Sequence, residues 1–443
     1  MNQQNARVGV GPFRRALVLE NPDPLLDAHL AAIGIACHRP EVTPTDEAGL
    51  VRLLESDPYD LLYKRSRVQV TERVLDAAPG LFGVMLCCIG DDSVDKGACA
   101  SRGVLVTNDP VSNGRSVAEL VIGEILCLSR RVFQAARELD RHEFRKSQKQ
   151  RFEVQGKTLG ILGLGNIGKQ VARLGQALGM RVAFHDNRDV AREVGITMGW
   201  EYCPTLHSLF ASADIVTCHV GAHDFNGRSN DGLLQPEHFA AMSEKEHDSP
   251  RVFLNLARGS IHSAEHLVAA VDEYHVEVAM VDVFPEEPAN AEDEWRNPYA
   301  AHPRIFATPH IGASTLEAQP RIARHVAATT QRLSQMGTLR NCVFGPNVEV
   351  GLEASDGVDH VLTVVHSNRR GTKKAVDDAV YHAGASNLMS VHRDFHDYGI
   401  AYEVVAIDRQ LDDDGLHRLI EDAASLTGDP SAIRAVRRID LNR

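Results

Sequence analysis

Three side chains stand just past the ends of apolar runs, where parallel α/β sheets do their chemistry. Arg258 follows the run in FLNLARGSI, Glu287 the run in AMVDVFPEEP, and His310 the run that leads into ATPHIGAST. Ligands bind open parallel sheets at the carboxyl ends of the strands, so each residue is placed to meet one. Oxidising an alcohol by hydride transfer needs a base for the hydroxyl proton and a cation for the neighbouring carboxylate or carbonyl. Histidine serves as that base near neutral pH, and a carboxylate beside it fixes its tautomer and raises its pKa. Arginine suits the second task, because its planar fork matches a carboxylate. Taken singly, each residue also has a structural explanation. Arg258 suits a helix-cap ion pair, Glu287 a solvated acid beside Pro288, and His310 a turn after Pro309.

A hydride also needs an acceptor, and the stretch from Lys157 to Arg188 offers a seat for one. Gly163, Gly165 and Gly168 form GxGxxG between an apolar strand, Thr158–Leu162, and a helix from about Asn166 to Ala177. The first glycine permits the tight bend, the second lets backbone approach a pyrophosphate, and the third lets helix pack on strand. The helix N-terminus adds N–H donors and partial positive charge. Asp186, at the end of the next strand, can hold an adenosine ribose by its hydroxyls. A carboxylate there repels a 2′-phosphate, which favours NAD over NADP; Arg188 is the one residue arguing the other way.

Around these residues the chain alternates strand and helix. Ala16–Leu19, Gly34–Cys37, Asp60–Tyr63, Phe82–Cys87 and Val104–Thr107 read as strands of a small parallel sheet that precedes the glycine turn. One long helix is expected from about Ser116 to Leu139, apolar on more than one side. After Asp186 the alternation resumes, broken by a charged loop, SEKEHDSP (Ser243–Pro250). A linker with little periodicity spans Gly337–Gly357. The tail reads strand, helix, strand, strand, helix, strand, which is the order of a ferredoxin-like module able to stand as its own domain. The expected fold class is therefore α/β: a Rossmann-type nucleotide domain, a smaller flavodoxin-like parallel α/β domain and a ferredoxin-like βαββαβ tail. The expected boundaries are 14–111 with 314–337, 112–313, and 355–443.

The whole chain narrows the possibilities further. Its 443 residues exceed one core, and a net charge of −13 argues against a nucleic-acid partner. An anionic substrate must then be caught by a local cationic pocket. The eight cysteines form no CxxC pair and read as buried free thiols of a reducing compartment. The first residues, MNQQNARVGVGPFRR, read as a short disordered arm with no signal-peptide core. No run approaches the ~18 apolar residues of a membrane span. A cytoplasmic protein is expected. His392, Asp394 and His396 alternate along a tail strand and read as a solvated face, so no metal is expected.

The motifs together resemble the D-isomer-specific 2-hydroxyacid dehydrogenase family, in particular its phosphoglycerate-oxidising branch with a C-terminal ACT domain. The resemblance rests on KRSR (64–67), CIGDDSVD (88–95), SNGRSVAELVIGE (112–124), the glycine turn, LNLARGS, VDVFPEEPA and TPHIGAST. The spacings agree as well, 29 residues from Arg258 to Glu287 and 23 onward to His310. It implies that Arg258 binds and polarises the substrate, His310 is the acid/base and Glu287 its partner. It further implies that Asn166 and Ile167 border the pyrophosphate, that Leu256, Ala257 and Gly312 line the cofactor, and that Asp282 contacts the nicotinamide amide. Arg65, Ser66, Arg67 and Gly90 would hold phosphate and carboxylate, with Lys146 reaching in from a neighbouring subunit. His366, Asn368 and Asn387 would form a serine effector site.

The implied function is NAD-dependent oxidation of 3-phospho-D-glycerate to 3-phosphohydroxypyruvate, entering serine synthesis, by a homo-oligomer (a dimer or a tetramer). Two other readings stay open: a dehydrogenase for another acid such as 2-hydroxyglutarate, and an NAD(H)-sensing interaction protein. Asp91 departs from the family pattern, since a carboxylate beside the substrate loop repels an anion unless it points away or pairs with Arg65 or Arg67. Gly221 and the Ser243–Pro250 insertion depart from it too, and Arg370 replaces the usual proline of the effector turn.

Overall fold

The computed structural model describes residues 6–44, 46–224, 228–245, 249–288, 294–351 and 358–441. They form two compact units, one made of the chain up to Ser112 and from Gln319 onward, the other of Asn113–Ala318.

In the first unit, β1 (Arg7–Val10) precedes a parallel sheet of β2 (Arg15–Val18), β3 (Ala36–His38), β4 (Leu61–Lys64), β5 (Gly83–Leu86) and β6 (Leu105–Thr107), ordered β3-β2-β4-β5-β6. That is the flavodoxin-like order 2-1-3-4-5. The strands are short apolar runs because helices cover both faces of a parallel sheet. Those helices start where the sequence offers caps: Asp46, Thr71 and Asp95 accept the N–H of Gly49, Val74 and Ala98.

The second unit holds β7 (Thr158–Leu162), β8 (Arg181–His185), β9 (Glu201–Tyr202), β10 (Ile215–Cys218), β11 (Val252–Asn255), β12 (Val278–Val281) and β13 (Ile305–Ala307). Their order, β13-β12-β11-β10-β7-β8-β9, is all parallel and reverses direction between β7 and β10. Such a switch point opens a crevice at the strands' carboxyl ends, where dinucleotides bind. The single helix expected over Ser116–Leu139 is instead two, Gly114–Ser129 and Val132–Asp140. Arg131 breaks it by adopting a left-handed φ of +56° while its guanidinium lies 3.5 Å from the Glu277 carboxylate. Of the charged insertion, residues 246–248 lie outside the described residues. Its flanks are tied down by one acid: Lys245 and Ser249 both bond to Asp214, at 3.0 and 2.7 Å.

The tail adds β14 (His360–Ser367), β15 (Asn387–Phe395), β16 (Ile400–Ile407) and β17 (Ile433–Asp440), in the antiparallel order β17-β14-β16-β15. This is the ferredoxin-like 4-1-3-2 arrangement. Helices Thr372–His382 and Asp413–Thr427 pack on one face through Val364, Val405, Leu416 and Leu419. The other face shares an apolar cluster with the first sheet, bringing Val361, Tyr402 and Val404 together with Phe13 and Leu105. The expected disordered arm is corrected here. Residues 7–10 form β1, parallel to β17 with Arg7 opposite Ala435, and Arg7 donates to the carbonyls of Arg102 and Ala78 at 2.8 and 2.9 Å. An unpaired β17 edge would leave backbone donors and acceptors unsatisfied, and β1 satisfies them. The expected linker is also anchored: the Val343 N–H donates to the Val106 carbonyl at 3.0 Å, and only residues 352–357 of it lie outside the described residues.

Candidate active site

At the glycine turn each glycine has its own steric reason. Gly163 sits at φ +92°, and a Cβ on Gly168 would lie 2.2 Å from the Gly163 carbonyl oxygen. A Cβ on Gly165 would meet nothing closer than Arg188, at 3.9 Å, so the space above the turn is open to a ligand. Asn166 and Ile167 begin the helix whose N-terminus faces that space. Asp186 closes the far side, its Oδ2 accepting the Leu164 N–H at 2.8 Å. Burial pushes its carboxyl up, but bonds from Arg188 outweigh this and hold it below the usual range. Arg188 grips both carboxylate oxygens, at 2.9 and 2.7 Å. The guanidinium that argued for a 2′-phosphate is thus spent on Asp186, and ribose hydroxyls would have to replace its donors.

The Arg258 loop is fixed by a residue that motif reading passed over. Asn255, fully buried at the end of β11, accepts the Ala257 N–H at 3.0 Å and donates to the Arg258 carbonyl at 3.0 Å. This local turn holds Leu256 and Ala257 against the core and turns Arg258 outward at the sheet edge. Gly259 follows because nothing larger fits: a Cβ there would stand 1.9 Å from the Phe284 carbonyl carbon.

On the adjacent strand end, Asp282 is buried and fully engaged. Its Oδ1 accepts from the Thr308 hydroxyl at 2.6 Å and the Ile311 N–H at 2.9 Å, and its Oδ2 accepts the Gly312 N–H at 2.9 Å. Asp282 therefore pins the loop that carries His310, which adopts a left-handed φ of +53°. Such strain in a non-glycine residue persists only where the surroundings impose it. The loop delivers His310 Nδ1 to Glu287 at 2.8 Å, and the Phe284 N–H supports the same carboxylate at 3.1 Å. The Glu287 carboxylate raises the His310 pKa against burial and the Arg258 charge. Burial pushes Glu287 up, but His310 and the Phe284 N–H bring it below the ordinary range. Arg258, Glu287 and His310 thus stand on three neighbouring strand ends, with the pair formed and the arginine's charge acting on both members.

Glu124 went unnoticed in the sequence. It is buried on helix Gly114–Ser129, neither oxygen has a partner among the described residues, and burial plus the Asp282 charge raise its pKa to about 8.

In the first unit, Arg65, Ser66 and Arg67 lie past the carboxyl end of β4, Arg65 half-buried and the other two exposed. Glu20 organises the loop by accepting the N–H of Arg65 at 3.0 Å and of Val68 at 2.6 Å. Lys64 is buried, bonded to the Ser93 hydroxyl and the Arg65 carbonyl, with its pKa lowered by burial. Gly90 lies past the end of β5, beyond Ile89, whose carbonyl accepts from Asn108 at 2.7 Å. Asp91 pairs with Lys96 at 3.1 Å rather than with either loop arginine. Lys146 is exposed on the polar stretch after Asp140.

In the tail, His366 is buried while Asn368 and Asn387 are exposed. His366 pairs across the sheet with Ala401 and Asn387 with Ile407, six residues apart on β16. At ~3.3 Å per residue they stand ~20 Å apart, so a single chain does not bring the three together.

A sequence model of the family described as "D-isomer specific 2-hydroxyacid dehydrogenase, NAD binding domain" matches residues 122–312. The D-3-phosphoglycerate dehydrogenase of Haemophilus influenzae is 37% identical over 308 residues, covering 69% of this chain and 71% of that one. That of Escherichia coli K12 is 32% identical over 371 residues, covering 84% and 85%. Among solved structures, a glyoxylate reductase from Paecilomyes thermophila superposes with a TM-score of 0.64 at 21% identity, over 75% of this chain and 98% of that one. It shares the fold.

Proposed function

The chain belongs to the D-isomer-specific 2-hydroxyacid dehydrogenase family, and on that premise we propose that it oxidises 3-phospho-D-glycerate to 3-phosphohydroxypyruvate, a step toward serine. The observation that carries this reading is the His310–Glu287 pair beside Arg258, on neighbouring strand ends. NAD, when bound, supplies the acceptor for the hydride leaving substrate C2. The glycine turn and Asp186 would hold it, and the open space above Gly165 fits a pyrophosphate.

The chain's own residues do the rest. With Nδ1 directed at Glu287, His310 turns Nε2 toward the substrate and takes the C2 hydroxyl proton. The Glu287 carboxylate stabilises the imidazolium that results. Arg258 binds the substrate carboxylate and draws charge onto the oxygen that becomes a carbonyl. Arg65 and Arg67 supply cations for the phosphate. The pairing of Asp91 with Lys96 supports this assignment, because it satisfies a carboxylate that would otherwise repel a dianion.

Steady-state turnover with NADH tests the substrate. The expected result is a kcat/KM for phosphohydroxypyruvate well above those for 2-oxoglutarate and glyoxylate, and equal values would remove the phosphate reading. We place the enzyme in the cytoplasm, and as a homo-oligomer because Asn387 stands too far from His366 to complete the assigned effector site within one chain, while the family resemblance brings Lys146 from a neighbouring subunit. Light scattering on the same preparation should give a dimer or tetramer slowed by millimolar serine; a monomer would end the two-chain roles.

A further inference from the structure

Three tail residues outside the active site converge on one point. His366 on β14, Glu403 on β16 and His392 on β15 occupy adjacent strands, with His392 directly opposite Glu403. One donor atom from each lies within 4.8 Å of the other two. The imidazoles of His366 and His392 stack, with centroids 5.3 Å apart. Neither His392 nor Glu403 belongs to the residues assigned to serine.

The hydrogen bonding around this point is half complete. His366 Nδ1 lies 2.7 Å from the Ser367 carbonyl, which can only accept, so Nδ1 carries the hydrogen and Nε2 is left with a lone pair. That Nε2 has no partner among the described residues, and His366 is 1% exposed. Glu403 is fully buried: its Oε1 receives Lys373 at 2.5 Å, while its Oε2 has no partner and lies 3.8 Å from His366 Nε2. A lone pair facing a carboxylate oxygen in a buried site is a mismatch that leaves both groups unsatisfied. At 3.8 Å the two are too far apart to resolve it by sharing a proton.

A cation resolves it. We propose that the tail binds one divalent transition-metal ion of the zinc class through His366 Nε2, His392 and Glu403 Oε2, leaving a fourth position for water or an exogenous ligand. Nitrogen and carboxylate donors stand about 2.0–2.2 Å from zinc, so tetrahedral ligands are ~3.4 Å apart, and the cluster needs to close by at most ~1.4 Å. The Ser367 carbonyl supplies the outer-shell hydrogen bond that orients a ligating histidine. Lys373 keeps Oε1 and so directs the metal to Oε2.

The site is tested on the full-length protein, stripped with chelator and titrated with Co²⁺ under visible absorption, then displaced with Zn²⁺. The expected result is one Co²⁺ per chain, micromolar or tighter, with tetrahedral d–d bands that Zn²⁺ removes. His392 is half-buried on the edge strand, so His392→Ala should fold, retain wild-type turnover, and bind Co²⁺ at least tenfold more weakly. Glu403→Gln should behave likewise. Failure to bind one equivalent, or identical titrations for wild type and His392→Ala, would overturn the proposal.

Discussion

Gly259→Ala is the sharpest test of the strand-end geometry. The added Cβ would stand 1.9 Å from the Phe284 carbonyl carbon, 2.2 Å from its oxygen and 2.3 Å from the Pro285 nitrogen. All three atoms are backbone, so no side chain can swing aside, and the two loops must part by at least ~1 Å to relieve the overlap. One loop carries Arg258. The other carries Phe284, whose N–H supports the Glu287 carboxylate at 3.1 Å, and Glu287 in turn holds His310. Separation therefore pulls the cation away from the acid–base pair. A misplacement of about 1 Å at a reacting centre costs on the order of 10²-fold in rate, or about 2.7 kcal/mol of barrier. Overpacking costs a further ~1–3 kcal/mol of stability. The glycine turn follows another strand, so NADH affinity should hold within a few-fold. Steady-state kinetics well below the melting midpoint, with NADH fluorescence titration, separates these terms. A folded variant with kcat/KM within threefold of wild type would refute the claim that this contact sets the spacing of Arg258 and Glu287.

Glu287→Gln removes the charge that raises the His310 pKa. Oxidation needs neutral His310, so the acid limb of its kcat/KM–pH profile should move to lower pH while the plateau falls roughly 10²-fold; an unmoved limb would dismiss the pairing. The pair's contribution to stability is fully present between the ordinary carboxylate and ordinary histidine pKa values; it is lost as pH rises through the raised His310 value and as pH falls through the lowered Glu287 value. Glu124→Gln should stabilise the protein, because burial raises this carboxyl to about 8 and the folded state pays increasingly to ionise it above the ordinary value. The gain in stability, read as a rise in melting temperature, should grow from about pH 4.5 to 8 and level off, reaching on the order of 5 kcal/mol; a pH-independent difference would show that the buried carboxyl does not ionise there.

What the sequence made legible are the features that one short segment decides alone. The glycine turn is of this kind, since Gly163 and Gly168 each answer a clash within the same few residues. Arg258, Glu287 and His310 announced themselves by following apolar runs, but residue types alone left dull alternatives open, and the family resemblance assigned the roles. Features decided by distant partners stayed hidden. Strand β1 exists because Ala435 offers an edge more than four hundred residues away. The break at Arg131 puts an arginine in the left-handed region because Glu277 receives its side chain, and no local pattern signals that. Asp282 read only as a cofactor contact; its three hydrogen bonds to the His310 loop are a second role that no local pattern signals.

The tail shows the same limit on a larger scale, and there the missing knowledge bears on function. Periodicity along β14 and β16 marks both faces apolar, but cannot say what covers the face away from the tail helices. In the fold that cover is the first sheet together with helix Ala318–Met336, and polar bonds tie the tail to the end of that helix: Tyr402 donates to the Gly337 carbonyl and Arg437 to the Ser334 carbonyl, each at 2.7 Å. The contact extends to the loop that follows β5. Phe344 packs against Tyr398 with centroids 4.8 Å apart, and burial together with the nearby Asp91 charge raises the Tyr398 pKa. Asp91 is the residue next to Gly90 and the partner of Lys96. A change in the tail that moves the segment from Phe395 to Tyr398 would therefore be felt at Asp91 and its partner Lys96 through contacts within one unit.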